Sequence, residues 1–404
     1  MSAKVKPGYK QTEVGVIPEE WDCCMLRDGI VLLSGHHILA HYCNMSGCGV
    51  PYLTGPADFR NGAIANTKFT NKPATLCSDG DILVTVKGSG SGTIVVADKM
   101  YCISRQLMAI RPLEWNSIFL YYSLLQNALH FKAASAGLIP GLSRSDILEQ
   151  LVPLPPLPAQ NTIADALSDV DVLLGALDRL IAKKRDLKQA AMQQLLTGET
   201  RLPGFHGEWA VKRLGDLGTF LKGNGIRKDE AMSGALPCVR YGEIYTHHNN
   251  YVKSFNSWIS PEVAVSATRL KKGDLLFAGS GETKEEIGKC VACIDDCDAY
   301  AGGDIVILRL AAAHPLFMGY YCNIATVNAQ KASRAQGDAV VHIGAVALSS
   351  VLVSVPSVSE QVAIAEVLFD MDAELAGLEQ RRDKTRSLKQ SIMQELLTGK
   401  TRLI

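Results

Sequence analysis

Beyond residue 160 the apolar residues fall in alternating steps of three and four. Leu167, Val170, Leu174, Leu177 and Ile181 are followed by Lys184, Lys188, Ala191 and Leu195. This spacing lays one stripe along an α-helix and predicts a heptad seam that packs on another helix. The same steps recur 201 residues later at Leu368, Met371, Leu375, Leu378, Arg382, Thr385, Lys389, Ile392 and Leu396. Both seams are apolar at their ends and polar in their middles. No proline interrupts either run, and Gly198 and Gly399 follow the last seam residues, where a capping glycine belongs. About 32 residues at 1.5 Å each predict a rod of ~48 Å. Matching seams in one chain predict an antiparallel pair, with the polar centre fixing register.

Elsewhere the pattern changes to short β-like runs broken by glycine turns. GDILVTVKGSGSGTIVVAD (Gly80–Asp98) and GDLLFAGSGETKEEIGKCVACID (Gly273–Asp295) are such runs. Each is followed by an aromatic helix-like run, FLYYSLLQNAL (Phe119–Leu129) and FMGYYCNIATV (Phe317–Val327), and then by a proline-containing linker, VPLPPLPAQ and VSVPSVSEQ. The order of elements is therefore written twice. The helical segments starting at Gln160 and Gln361 align without a gap and share 22 of 43 positions. A repeat of half the chain is too long for a solenoid unit of ~20–50 residues. The expected organisation is a globular domain over 1–155, a helix over 156–202, a second domain over 203–355 and a second helix over 356–404. The N-terminal segment around Trp21, Leu26 and Asp28 matches Trp209, Leu214 and Asp216, which follow the first helix. The chain thus starts where its own end leaves off, a circular arrangement with the start packed beside the end.

Composition narrows this picture. The hydrophobic fraction is 47%, which is globular rather than disordered. The first residues lack the apolar core of an export signal, so a cytoplasmic setting and free thiols for the 11 cysteines are expected. No run is apolar enough to span a membrane. Formal charge is zero, with 41 basic and 41 acidic side chains, so a nucleic-acid surface would have to be a local patch.

Several motifs that suggest catalysis fail on inspection. Gly399-Lys400-Thr401 lacks the upstream glycine of a phosphate loop, since position 394 is Gln. Cys290, Cys293 and Cys297 have metal-like spacing but lie on and after a strand-like run, where residues three apart point to opposite faces. His37 and His41 lack the glutamate of a zinc-protease helix, and His247-His248 sit in a polar turn. Gly88, Gly90 and Gly92 lack the strand–helix context of a dinucleotide site. No Asn-Pro, Asp-Pro or Pro-Asp pair occurs, so the usual spellings of amino-methyltransferase and nuclease cores are missing. The reading is of no catalytic residue and no metal.

The tandem architecture, the PLPPLPAQ linker and the paired endings QQLLTGETRL and QELLTGKTRL make the chain resemble the specificity subunit of type I restriction–modification enzymes. That resemblance implies an α+β chain. Two mixed α/β target recognition domains would be joined by two long helices in an antiparallel coiled coil, with pseudo-two-fold, circular organisation. It implies a non-catalytic subunit, each domain of which reads half of a bipartite sequence in double-stranded DNA. Two modification subunits, using S-adenosylmethionine, would dock on the helices, and restriction/translocase subunits would bring ATP and Mg. No cofactor is expected in this chain. The competing reading is a symmetric assembly scaffold that never touches DNA.

DNA-contacting residues are sought in polar loops, where Arg and Lys can meet bases or phosphates. In the second domain these are Lys222, Arg227, Lys228, Arg240, Tyr241, Ser280, Thr283 and Lys284. In the first they are Lys87, Ser89, Arg60, Lys68 and Arg144, with Tyr52, Asn61 and Ser143 nearby. The competing reading for each is a solvated side chain or a plain turn.

Overall fold

The computed structural model describes residues 5–60, 62–88, 90–127, 141–296, 298–338 and 340–403. They form two compact units, residues 1–178 with 380–404, and residues 179–379. The division passes through both long helices, so each unit carries one half of each.

In the first unit a four-stranded antiparallel sheet has the order Ile94–Val96, Ile82–Thr85, Leu107–Pro112, Ile30–Ser34. A five-stranded sheet runs Leu76–Cys77, Tyr101–Ile103, Val50–Leu53, Lys68–Thr70, Cys43–Asn44, and its second and third strands are parallel. In the second unit Gly218–Lys222, Ile305–Leu310, Asp274–Ala278 and Cys290–Ala292 follow one another in one sheet, with Asn250–Tyr251 added at its edge. A second sheet holds Ser257–Ile259, Leu236–Val239, Tyr300–Ala301 and Thr268–Arg269, again with one parallel pair. The sheets are built alike although their sequences differ. Asp81 takes two bonds from Arg111, at 2.9 and 2.7 Å, across neighbouring strands. Asp274 takes two from Arg309 at the matching place, at 3.0 and 2.9 Å.

The central helix spans Leu157–Thr197 (41 residues) and the C-terminal helix Val358–Leu396 (39 residues). At 1.5 Å per residue these are ~61 and ~58 Å long, not ~48 Å. The prolines that suggest a linker do not hold the helix back. Val152–Leu154 belong to a strand, and Pro158 sits in the first helical turn, where its missing N–H has no partner to lose. Every seam residue is buried or half-buried, including Leu167, Leu174, Leu177, Leu195, Leu368, Leu375, Leu378 and Leu396. Pairing is antiparallel within each unit. In the first unit Asp171 meets Lys389 and Asp178 meets Arg382. In the second Lys184 meets Glu374 and Lys188 meets Asp372.

One arrangement ties each block to its helices. Tyr122, on the helix Ser117–Gln126, donates to Asp171 at 2.7 Å, and Lys389 reaches the same carboxylate at 2.7 Å while lying over the tyrosine ring. Tyr320, on Pro315–Tyr321, donates to Asp372, whose other oxygen takes Lys188, itself over the Tyr320 ring. Burial and the adjacent carboxylate raise both tyrosine hydroxyls well above their usual range. Gln160 and Gln361 repeat a second tie. Each accepts from the helix-capping N–H of its block (Asn116, 2.9 Å; His314, 2.8 Å), and each donates to the carbonyl of a preceding proline (Pro155, Pro356).

The ends close as expected. Gly198 (φ +75°) packs on Trp209, and Gly399 (φ +67°) packs on Pro18 and Trp21. Both glycines occupy the left-handed cap that favours this residue. Among the described residues, no helix is long and apolar enough to cross a membrane.

Candidate nucleic-acid interface

Lys222 ends an edge strand and is exposed, as are Arg227 and Lys228 in the loop after it. Arg240 is half-buried and caps the short helix Tyr241–Thr246, a segment that reads as loop in the sequence; Tyr241 is exposed at its start. Glu243 on that helix is buried and accepts from Arg240 N–H and from the Ser257 hydroxyl. Its carboxylate is therefore spent on holding the loop.

The GSGETK stretch is not the free turn its composition suggests. Ser280–Gly281 pairs with Val341–His342, and Ser280 is buried with its hydroxyl 2.9 Å from His342 Nδ1. Thr283 and Lys284 are exposed, but Glu282, Glu285 and Glu286 are exposed beside them, a poor setting for phosphate. The segment is anchored by cations the sequence does not mark. Lys331 is fully buried and donates to Gly288 O (2.6 Å) and Cys322 O (2.9 Å). Lys289 donates to Tyr245 O and His248 O. Burial lowers the pKa of both amines. His248 is itself buried, with neither ring nitrogen bonded among the described residues, and burial lowers its pKa too.

In the first unit Lys87 is exposed, bridged through its backbone to Gly141. Ser89 and Asn61 lie outside the described residues. Arg60 is exposed in the short ladder Phe59–Arg60 with Ala63–Ile64. Arg144 donates to Ser34 Oγ (2.7 Å) and Leu32 O (3.1 Å), so its guanidinium is partly engaged in holding a strand. Lys68 is exposed and lines a cleft of about 480 Å³ with His37, Asn44, Tyr52, Arg105 and Gln106. The structure thus gathers two of the named residues, Lys68 and Tyr52, with Arg105 and Gln106, which the sequence does not mark, while Arg60, Lys87 and Arg144 stand outside the cleft lining.

Cys290 and Cys293 are buried, Cys297 lies outside the described residues, and no group of three metal-binding side chains occurs among the described residues.

The profile of the family described as "Type I restriction modification DNA specificity domain" matches twice, over residues 18–183 and 206–385. The type I restriction enzyme MjaVIII specificity subunit of Methanocaldococcus jannaschii is 22% identical, over 96% of this chain and 94% of the relative. The putative MjaX specificity subunit of the same organism is 24% identical, over 98% and 97%. The crystal structure of the type I restriction–modification S subunit from M. genitalium superposes with a TM-score of 0.64 at 17% identity, covering 98% of each chain. Two copies of one domain, each with its share of a paired helix and the same Tyr–Asp–Lys tie, account for both profile matches: this chain belongs to the family of type I restriction–modification specificity subunits.

Proposed function

We propose that the chain is the DNA-reading, non-catalytic subunit of a type I restriction–modification enzyme. Each domain reads one half of a bipartite duplex target, and the helices set the interval and bind two modification subunits. Those partners supply S-adenosylmethionine-dependent adenine methylation, and restriction/translocase subunits supply ATP and Mg chemistry. The observation that carries this reading is the doubled DNA specificity domain on doubled half-helices. The doubled units offer two equivalent surfaces to two equivalent partners.

Methylation mapping tests it directly. Cells carrying the cognate modification subunits should show methylated adenine in a split motif that vanishes when this chain is deleted. Binding of the assembled complex to that motif should fall steeply with salt, with a slope near −0.9 per phosphate contacted. A motif that survives deletion, or salt-independent binding, would leave only the scaffold reading, which the zero formal charge favours.

A further inference from the structure

One turn occupies the same place in both units. In the first it joins Tyr101–Ile103 to Leu107–Pro112; in the second it joins Tyr300–Ala301 to Ile305–Leu310. The same backbone bonds hold its ends. Ser104 N–H donates to Leu53 O at 2.9 Å, and Gly302 N–H to Val239 O at 3.0 Å. Val86 N–H donates to Gln106 O at 2.8 Å, and Gly279 N–H to Asp304 O at 2.7 Å. Between these fixed ends the side chains share nothing: Ser104-Arg105-Gln106 in one unit, Gly302-Gly303-Asp304 in the other. A conserved frame carrying unlike side chains at an exposed tip is how one scaffold serves two specificities.

The first turn also opens on the cleft, whose lining includes no Asp or Glu. Arg105, Gln106, Lys68 and His37 are exposed there, and none of their side chains has a hydrogen bond or ion pair among the described residues. Asn44, by contrast, is used up by its own turn, accepting from Ser46 N–H and Cys48 N–H and donating to Cys48 O. The Gln106 amide lies against Gly55, where any Cβ would overlap its Oε1. The bare glycine leaves room for that amide at the cleft.

We propose that Arg105 and Gln106 are the base-reading side chains of the first domain, with Lys68 on a neighbouring phosphate. This rests on the DNA-reading function proposed above and names the site that performs it. A guanidinium matches the two acceptors on a guanine edge, and a carboxamide matches the acceptor–donor pair of adenine in the major groove. An ammonium serves as a point charge for phosphate. The second domain's Gly302-Gly303-Asp304 offers no donor side chain at the same turn, only the Asp304 carboxylate, so it cannot make these same contacts.

The test uses the full chain with its modification subunits, methylating genomic DNA of a host that lacks adenine methylation. The wild type must first yield a bipartite motif; if it yields none, the DNA-reading function itself is wrong. Arg105→Ala and Gln106→Ala should each make one position degenerate, a guanine and an adenine respectively, in the same half of the motif. The other half should stay intact, which also reports that the variant is folded. Affinity for a duplex carrying the mapped motif should fall about 5- to 150-fold per substitution. Arg105→Lys should restore the lost guanine preference only in part, since an ammonium lacks the planar fork. An unchanged motif in both alanine variants would overturn the proposal and leave a phosphate contact at most.

Discussion

The two units solve the same packing problem with different exposure. Around Asp372, the side chains of Lys188 and the carboxylate retain 11% and 10% of their accessible surface. Around Asp171, Lys389 retains 14% but the carboxylate 40%. The same three residue types therefore sit in a drier setting in the second unit than in the first. The helix caps differ as well. Asn116 Oδ1 accepts from Phe119 N–H at 2.8 Å, whereas His314 Nδ1 fills the matching role for Phe317. An amide cap is indifferent to pH and an imidazole cap is not. Equivalent positions thus carry unequal energetic weight, which a repeat in sequence alone would hide.

Substitutions can break or sharpen that comparison. The largest effect is expected from Leu174→Asp combined with Leu375→Asp, one seam residue from each unit. Each loses at least the ~2–5 kcal/mol of a truncated core leucine, and each buries a carboxylate without a partner. Circular dichroism and sizing with the modification subunits should show lost helix and lost assembly together; an intact complex would refute the paired-seam account.

Next come the two aspartates. Asp372→Ala strands Lys188 and Tyr320 in a dry site and should cost about 3–5 kcal/mol. Asp171→Ala removes a carboxylate that is already 40% exposed, so water can take its place, and should cost about 1–2 kcal/mol. Denaturant unfolding of the two variants reads the difference directly, and equal losses would remove the asymmetry.

The smallest effect is that of pH. Burial lowers the pKa values of His248 and His314, both in the second unit. Their stabilising contribution is full above the unfolded value of ~6.5 and shrinks as pH falls below it, because the unfolded chain then binds protons that the folded chain refuses. Hydrogen-exchange protection, after correction for the intrinsic pH dependence of exchange, should fall in residues 315–321 between about pH 6.5 and 5 more than in residues 117–126. His314→Asn, which installs the first unit's cap, should reduce that gap.

Much of the helical architecture was legible because its signal is local. A seam is a periodicity, and every seam position came out buried or half-buried. The ties at Asp171 and Asp372 were not legible, since which carboxylate a seam lysine finds depends on the block docked against it. Ser280 misled for the same reason: glycine and serine signal a turn, but its partner His342 is 62 residues away. At the candidate interface, composition pointed to glycine-rich loops and passed over Arg105 and Gln106. A usable signal existed. Aligning ISRQLMAIRP with AGGDIVILRL on Arg111 and Arg309 sets Arg105 opposite Gly303. Only the shared hydrogen bonds turn that low-similarity match into a statement about one turn.

The closure of the first unit has a genetic consequence. Tyr9 donates to Gly399 O, and Arg402 reaches both Gly8 O and Glu20. Residues 8–20 and 399–402 are neighbours, at the place that matches the unbroken stretch between Gly198 and Trp209 in the second unit. A permuted gene that links residue 403 to residue 5 and opens near Gly204 should encode the same fold with its two readers in exchanged order. Recombination could trade either reader without disturbing the other.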